Sequence, residues 1–268
     1  MNRLSYCLLI FALLTGANLF AQKANYPQNY FRNPLDIPLQ LSANFGALRP
    51  NHYHMGVDVR TGGRENMPVH ASADGYVSRI KIEKWGFGRA VYINHPNGYT
   101  TLYAHLNTFY KQLEDYIFQK QYKEESWEQD IEFAAGDFIV KKGQFIGLSG
   151  NTGGSAGPHL HFEIRDTKTG NNLNPQLFGF TYTDKISPAI SGLFWYNRQL
   201  STYAQDAAVI PLKKIAGGYT AMAAIIKVNS PLLSLGIKTD DKSNGSSFSY
   251  GVYEMGLQMD TSLLFHYQ

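Results

Sequence analysis

The chain has 268 residues, enough for one large domain or two modest ones. Hydrophobic residues make up 44% and charged residues 17%, which is typical of a globular protein and excludes a disordered one. The net charge of +3 comes without the Lys/Arg cluster that nucleic-acid-binding proteins carry, so we expect no nucleic-acid partner.

Residues 1–21 are typical of a secretory signal peptide. Arg3 supplies the positive charge, residues 8–14 form the apolar core, and cleavage is predicted after Ala21. The alternative is a membrane anchor, but the apolar stretch falls short of the roughly 20 residues that a span needs. Cys7, the single cysteine, lies in this segment, so metal ligands in the exported chain must be His and carboxylate. We expect no membrane span after cleavage.

Two segments follow the signal peptide. Residues 22–40 are rich in Pro and Asn and predict an extended arm. In residues 41–183, short alternating runs separated by turn signals predict a mainly β domain, including a hairpin whose strands are joined by Asn97-Gly98. Residues 108–130 carry apolar side chains at helical spacing, which predicts one helical insertion in this domain.

Residues 184–268 predict a second, β-rich module of roughly domain size. Strand-length runs at 221–228 and 263–268 support this prediction. The second run reaches the last residue, so the module is either complete there or truncated. Binding of a regulatory protein partner is one role open to it.

Two short histidine motifs lie more than a hundred residues apart. In the strand-like run from Pro158, His159 and His161 are two positions apart and therefore project from the same face. Leu160 and Phe162 project from the opposite face, into the core. A core strand has no use for two imidazoles, so their face must line a site or contact water.

The first motif is an HxxxD formed by His54 and Asp58. The even spacing places both side chains on one side of a strand, although a helix would align them as well. Gly56 and the β-branched Val57 and Val59 favour the strand. Because Gly56 has no side chain, we expect it to leave room for a ligand.

Two histidines and one carboxylate make the three-ligand set that zinc accepts while it keeps a fourth position for water. A zinc ion held in this way lowers the pKa of bound water towards about 7 and polarises a scissile carbonyl. His105 lies on a predicted hairpin strand, so the chain supplies further histidines for proton transfer. The chain contains neither HExxH nor GxSxG, which excludes those two hydrolase arrangements. We expect surface or packing roles for the other histidines, with His52 as a neighbour of the site: His52, His70, His95 and His266.

At these residues the chain resembles the lysostaphin-type (LytM-like) zinc endopeptidases, which cut peptidoglycan cross-links. The resemblance covers roughly residues 41–175. It rests on the HxxxD motif, the Tyr-Ala-His-Leu segment at 103–106, and the Gly-rich run at 147–153 that leads into Gly-Pro-His-Leu-His-Phe-Glu at 157–163. It implies a small antiparallel sheet of the duplicated hybrid motif type, with the site in a groove.

The resemblance also implies roles for individual residues. One zinc ion per chain would be held by His54, Asp58 and His161, and His105 and His159 would form the catalytic pair. The substrate would be peptidoglycan stem peptides. The composition and the Phe-Ala-Gln cleavage site resemble proteins of the Bacteroidetes, which implies a periplasmic or cell-envelope location.

Two alternatives stay open. Some members of this family have lost ligands and act as activators of other wall hydrolases, so a non-catalytic regulator or scaffold that binds the wall is the second interpretation. A structural β protein with incidental histidines is the third, but it has to explain why all five residues fall on the family's positions. We further expect the helical insertion to form one groove wall, and the arm at 22–40 to be a candidate inhibitor of the groove.

Overall fold

The structure is a computed structural model, and it describes residues 26–268. The predicted signal peptide, residues 1–21, lies outside the described residues, as does Cys7. Strands dominate the regular structure and their pairing is antiparallel, which confirms the prediction of a mainly β fold. Among residues 26–268, no helix has the length and apolar character that crossing a bilayer requires.

Among the described residues, the stretch from 41 to 178 contains twelve strands and one α-helix. The strands are β1 (Leu41–Ala43), β2 (Val57–Arg60), β3 (Pro68–His70), β4 (Gly75–Ile82), β5 (Arg89–Asn94), β6 (Tyr99–Ala104), β7 (Leu106–Phe109), β8 (Gln129–Glu132), β9 (Ile139–Val140), β10 (Phe145–Ser149), β11 (His159–Asp166) and β12 (Asn172–Leu173). Helix α1 (Lys111–Glu124) lies between β7 and β8, and a 3-10 turn (Pro175–Phe178) follows β12.

The strands of this part form two sheets. The larger has nine strands in the order β1-β2-β11-β6-β5-β4-β8, with β12 added beside β11 and β9 beside β4. The smaller has the order β3-β10-β7. Strands β5 and β6 form the predicted hairpin, with Asn94 paired with Thr100 across the Asn97-Gly98 turn. The central position of β11, between β2 and β6, is what brings distant motifs together.

The hydrophobic core lies on one face of the nine-stranded sheet. Alternation places Val57 and Val59 of β2, and Leu160 and Phe162 of β11, in one buried cluster. The smaller sheet and α1 contribute to the same cluster, through Val69, Leu106, Ile146, Leu113 and Ile117. The residues that alternate with these, such as Asp58 and His161, therefore face the opposite side of the sheet.

The helical insertion is shorter than the predicted 108–130. Helix α1 covers Lys111–Glu124, because Phe109 pairs with Gly147 in the smaller sheet and Gln129 pairs with Ile82 in the larger one. The helical spacing of its apolar residues is confirmed, since the two fully buried side chains of the helix, Leu113 and Ile117, are four positions apart.

The described part of the predicted arm, residues 26–40, packs onto the core. It forms no strand beyond a single bridge between Leu35 and Val69. Phe31 and Leu35 are buried, and the ring of Phe31 lies 5.7 Å from that of Phe178. These apolar contacts hold the segment against the domain.

The C-terminal part is β-rich, as predicted. Its strands are β13 (Ala189–Asn197), β14 (Ala208–Ile210), β15 (Leu212–Ile215), β16 (Gly218–Ala221), β17 (Leu233–Asp240), β18 (Met255–Met259) and β19 (Ser262–Tyr267), with a 3-10 turn at Thr202–Ala204. β13 lies between β14 and β17, and two hairpins complete the set. The predicted strand at 221–228 is wrong, because β16 ends at Ala221 and the apolar residues that follow, such as Met222 and Ile225, are exposed.

Candidate metal and catalytic site

Strand register gathers the site. His161 of β11 pairs with Asp58 of β2 on one side and with Ala104 of β6 on the other. Paired residues on the same face are neighbours, and Nδ1 of His161 lies 2.9 Å from Oδ1 of Asp58. Ala104 is the last residue of β6, so His105 follows directly into the same region.

The alternation predicted for the HxH motif is confirmed. Leu160 and Phe162 are fully buried in the core, while His159 and His161 lie on the opposite face of β11. Both imidazoles approach Asp58, since Nε2 of His159 lies 3.4 Å from its Oδ1. The two histidines therefore belong to one site.

The prediction that a strand carries His54 is wrong, although it is correct for Asp58. β2 begins at Val57, and His54 lies in the irregular segment before it. Hydrogen bonds to an earlier segment hold this residue instead. Its backbone N donates to O of Ala47 at 2.8 Å, and its carbonyl accepts from N of Gly46 at 2.8 Å.

Gly56 serves a different purpose from the predicted one. A Cβ atom at this position would lie 2.5 Å from O of Phe162 and 2.8 Å from Cγ of Glu163. The missing side chain thus lets β11 approach the segment that carries His54. The expectation that Gly56 makes room for a ligand is wrong.

Three buried donor atoms fit a metal ion. Nε2 of His54, Oδ1 of Asp58 and Nδ1 of His161 lie within 4.8 Å of one another. The individual separations are 3.0 Å for His54 to Asp58, 2.9 Å for His161 to Asp58 and 3.1 Å between the two histidines. Ligands that each lie about 2.0 to 2.1 Å from a tetrahedral zinc ion are about 3.3 Å apart. The donor set therefore matches the dimensions of a zinc site.

The outer hydrogen bonds of the two histidines point to a cation. Nδ1 of His54 donates to the carbonyl of Asn44 at 2.8 Å, and Nε2 of His161 donates to Oε1 of Glu163 at 2.9 Å. Each ring then presents a lone pair on its other nitrogen. Two nitrogen lone pairs and a carboxylate oxygen of Asp58 converge, and a positive charge between them satisfies all three.

The pKa shifts of Asp58 and His161 also favour a positive charge at this position. Burial by itself raises the pKa of Asp58, but hydrogen bonds from His159, His161 and His54 outweigh it and hold the pKa well below its usual value. Burial by itself lowers the pKa of His161, yet hydrogen bonds to Asp58 and Glu163 raise it to about 9. A metal ion would compete with this proton for the same acceptors.

His105 and His159 lie beside the donor set. Their ring centroids are 4.7 Å apart. Nδ1 of His105 donates to O of Thr152 at 2.8 Å, and Nδ1 of His159 donates to O of Gly157 at 2.7 Å. Nε2 of His105 is thereby left to accept a proton, and Nε2 of His159 is the nitrogen that faces Asp58. Burial, followed by the neighbouring His159 and His161, lowers the pKa of His105 to about 4. His105 is therefore neutral at neutral pH and able to accept a proton.

His105 lies at the junction of the two sheets and not within a hairpin strand, which corrects that prediction. It separates β6 from β7 and has a φ of 60°, in the left-handed region that non-glycine residues seldom adopt. Its backbone N donates to O of Phe87 at 3.0 Å. Such strain persists where surrounding contacts determine the conformation.

Sequence reasoning missed several residues that support the site. Glu163 is fully buried on the same face of β11 as His161, and continuing the alternation by two positions would have found it. Nη2 of Arg49 donates to Oδ2 of Asp58 at 3.3 Å, which leaves Oδ1 for the donor set. Arg49 and Asn44 carry no sequence signal, because long-range packing alone brings them here.

A cleft of about 950 Å³ opens above these residues. Besides the five site residues, it is lined by residues 42–43, 60–63, 86–87 and 154–158, together with Arg49, Pro50, His52 and Phe248. No residue of α1 or of the described arm, 26–40, lines it. The prediction that the helix forms a groove wall is wrong, because α1 packs on the core, across the sheet from the cleft.

The remaining histidines have the predicted surface and packing roles. His52 lines the cleft as a neighbour of the site. His95 is buried and bonded to O of Asp74 and to Oγ1 of Thr101, both at 2.8 Å. His70 lies beside Asp36, and the exposed His266 bonds Glu254.

A known peptidase family matches the part of the chain that holds these residues. Residues 52–122 and 128–175 match Peptidase family M23. This part of the chain is similar to the M23 peptidases. All five site residues lie within the matched ranges, and the gap between the ranges, residues 123–127, lies at the C-terminal end of α1.

Curated proteins are similar to about half of this chain. The DD-carboxypeptidase/endopeptidase Mpg of Neisseria meningitidis serogroup B is 38% identical over 122 residues, which are 46% of this chain and 22% of the relative. The peptidoglycan DD-endopeptidase ShyA of Vibrio cholerae is 33% identical over 137 residues, 50% of this chain and 26% of the relative. The chain thus spans about a quarter of the length of these curated relatives.

Solved structures also resemble about half of this chain. A zinc containing peptidase from Vibrio cholerae is 26% identical, with a TM-score of 0.41 and coverage of 55% of this chain and 39% of that one. The catalytic domain of lysostaphin from Staphylococcus simulans is 24% identical, with a TM-score of 0.39 and coverage of 52% and 91%.

Proposed function

We propose that this protein is a zinc-dependent endopeptidase that hydrolyses peptide cross-links of bacterial peptidoglycan. The observation that carries the proposal is the buried convergence of three acceptor atoms from His54, Asp58 and His161, whose outer hydrogen bonds leave only a cation to satisfy them. The match to Peptidase family M23 supports peptide hydrolysis as the reaction class. The names of two curated relatives, a DD-carboxypeptidase/endopeptidase and a peptidoglycan DD-endopeptidase, support it as well.

His54, Asp58 and His161 would hold one zinc ion per chain. A zinc ion bound by three protein ligands lowers the pKa of a bound water towards about 7 and polarises a carbonyl oxygen. The cleft beside these residues, at about 950 Å³, has the volume of a ligand-binding pocket.

His105 and His159 would manage the protons. His105 is neutral, and its Nδ1 is fixed by Thr152, so Nε2 is the acceptor for a proton from the attacking water. His159 directs Nε2 towards the same centre, and in its protonated form, with Nδ1 still bonded to O of Gly157, it can stabilise the developing oxyanion or donate to the leaving amine through Nε2. This division of roles is part of the proposal.

The substrate and the location follow from the same reasoning. Curated relatives named as DD-endopeptidases favour peptidoglycan stem peptides as the substrate class. A wall substrate requires export to the periplasm or cell envelope, in agreement with the signal peptide predicted at residues 1–21.

The test combines metal content with turnover. Zinc is measured in the purified chain without residues 1–21, and release of cleaved cross-links from isolated peptidoglycan is followed with and without a chelator. We expect one zinc per chain and cleavage that the chelator abolishes and added zinc restores. Bound zinc without cleavage of any wall preparation would favour the regulator instead, and a chain that binds no zinc would refute the proposal.

A further inference from the structure

The C-terminal part of the chain reaches the candidate metal site through one pair of residues. Nδ2 of Asn44 donates to O of Gly251 at 2.6 Å, and N of Gly251 donates to Oδ1 of Asn44 at 2.9 Å, across 207 positions of sequence. Asn44 is 2% exposed. Two reciprocal hydrogen bonds fix both ends of its amide, so the orientation of Asn44 depends on Gly251.

Asn44 in turn holds a proposed metal ligand. Its backbone carbonyl accepts the hydrogen bond from Nδ1 of His54 at 2.8 Å. Gly46 and Ala47, two and three positions after Asn44, bond the backbone carbonyl and N–H of His54. Segment 44–47 thus contacts His54 at its ring and at its main chain.

Backbone packing couples this segment to the C-terminal part. A Cβ atom on Gly251 would lie 2.8 Å from Cα of Ala47, and a Cβ atom on Gly46 would lie 3.1 Å from the ring of Tyr267. Tyr250 is buried in the core cluster of the M23-like domain, and its hydroxyl donates to O of Leu41 at 2.8 Å. The contact therefore includes close packing as well as hydrogen bonds.

The same part of the chain also contributes to the cleft. Phe248 lines the cleft, and the guanidinium of Arg60 lies 5.0 Å from the centre of its ring. Phe248 and Gly251 are three positions apart. One short segment therefore lines the cleft and also bonds Asn44, the residue whose carbonyl holds the ring of His54.

We propose that segment 248–251 completes the site of the M23-like domain. Gly251 acts as a positioning residue, because its pairing with Asn44 sets the carbonyl that orients His54, and Phe248 forms a wall that contacts the substrate peptide. The proposal rests on the proposed function, since it takes His54 as a zinc ligand. Hydrogen bonds of this outer kind fix the ring orientation of a ligating histidine and strengthen its binding of the metal.

Two variants on opposite sides of the contact test the positioning role. Asn44→Ala removes the amide but keeps the backbone carbonyl, and Gly251→Ala inserts a methyl group against the main chain of Ala47. We expect both to lower zinc affinity about 10- to 100-fold, measured by competition with a chelating dye. The matched control is Asn174→Ala, because Asn174 is also 2% exposed but its side chain accepts from N of Gln176, at a 3-10 turn.

The wall has its own test. Phe248→Ala is expected to raise KM for a cross-linked muropeptide about fivefold to tenfold, because a ring that contacts the bound peptide is lost, while zinc affinity stays within twofold. A lowered kcat with an unchanged KM would contradict the proposal that Phe248 contacts the bound substrate.

The outcomes separate this inference from the proposed function. Asn44→Ala and Gly251→Ala with the zinc affinity of the unaltered chain, in proteins whose thermal unfolding matches that of Asn174→Ala, would overturn the positioning role and leave the peptidase proposal intact. Failure of the unaltered chain to bind zinc would instead remove the proposed function.

Discussion

The carboxylate of Glu163 accepts a hydrogen bond from Nε2 of His161 at 2.9 Å, on the opposite side of the ring from Asp58. Nε of Arg165 and Nδ2 of Asn172 each donate to the other oxygen of Glu163 at 2.6 Å. Burial by itself raises the pKa of Glu163, but the hydrogen bond and charge of His161, followed by the charge of Arg165, lower it. Glu163 is therefore ionised, and it fixes the tautomer of His161.

Glu163→Gln should weaken the metal site. A neutral amide holds the Nε2 proton of His161 less strongly, so Nδ1 becomes a poorer ligand, and we expect zinc affinity to fall about 10- to 100-fold. Competition with a chelating dye measures the change. Asp130→Asn serves as the control, since Asp130 pairs with Arg79 on the surface. Equal zinc affinity in both variants would show that Glu163 does not tune His161.

The two histidines of the HxH motif should behave differently. His161→Ala removes a proposed ligand, so we expect loss of zinc and of cleavage together. His159→Ala removes a proton-transfer group outside the three-atom donor set, so zinc should stay bound while kcat falls about 10²- to 10⁴-fold. Metal analysis of both purified variants, alongside turnover of isolated peptidoglycan, checks the assignment. Equal zinc loading of both variants would overturn it.

How far the sequence predicts this site depends on the range of the contacts involved. The alternation along β11 is a local property, so the common face of His159 and His161 follows from the sequence alone. The position of His54 does not, because hydrogen bonds to Asn44, Gly46 and Ala47 decide it and no strand periodicity extends to it.

The wall of the cleft illustrates the same limit. Helical periodicity identifies α1, but it does not say which side of the sheet receives the helix, and Leu113 and Ile117 place it on the core side. Phe248 reaches the cleft from nearly two hundred positions beyond His54, through contacts that no local pattern encodes. Strand register and long-range packing decide where α1 and Phe248 lie. The spacing of residues along the sequence does not determine either of them, so the sequence does not predict the wall of the cleft.

Acid should destabilise the fold in part through His95. Burial lowers the pKa of His95 to about 4, below the usual 6.5, so between these values the unfolded chain binds a proton that the folded chain does not. The free energy of unfolding should then fall as the pH drops from about 6.5 to about 4, by at most about 3 kcal/mol for this group. Above pH 6.5, His95 is neutral in both the folded and the unfolded chain and no longer makes the free energy of unfolding depend on pH.

His95→Asn tests this contribution, because Asn keeps a donor for O of Asp74 but does not titrate. Urea unfolding at pH 7.5, 6.0 and 5.0 should give a smaller loss of stability with falling pH than in the unaltered chain. His266→Asn, which changes an exposed histidine, should leave the pH dependence as it was. A pH dependence that survives His95→Asn undiminished would assign the effect to other groups.

Thr152 should control catalysis without controlling the metal. Its hydroxyl donates to O of Leu106 at 3.0 Å and accepts from N of Arg89 at 3.0 Å, while its carbonyl holds Nδ1 of His105. These contacts tie the loop at 152 to the ring of His105, to Leu106 beside its strained backbone, and to Arg89 of β5. Thr152→Val keeps the shape but leaves both partners of the hydroxyl unpaired, so His105 should lose its fixed position.

We expect Thr152→Val to lower kcat about tenfold or more, since small misplacements of a catalytic group are costly, and to lower the free energy of unfolding by about 1 to 3 kcal/mol. Zinc content should stay at that of the unaltered chain, because Thr152 contacts none of the three proposed ligands through its side chain. Thr152→Ser restores the hydroxyl and should recover most of kcat. Loss of stability with an unchanged kcat would mean that the loop supports the fold but does not position His105.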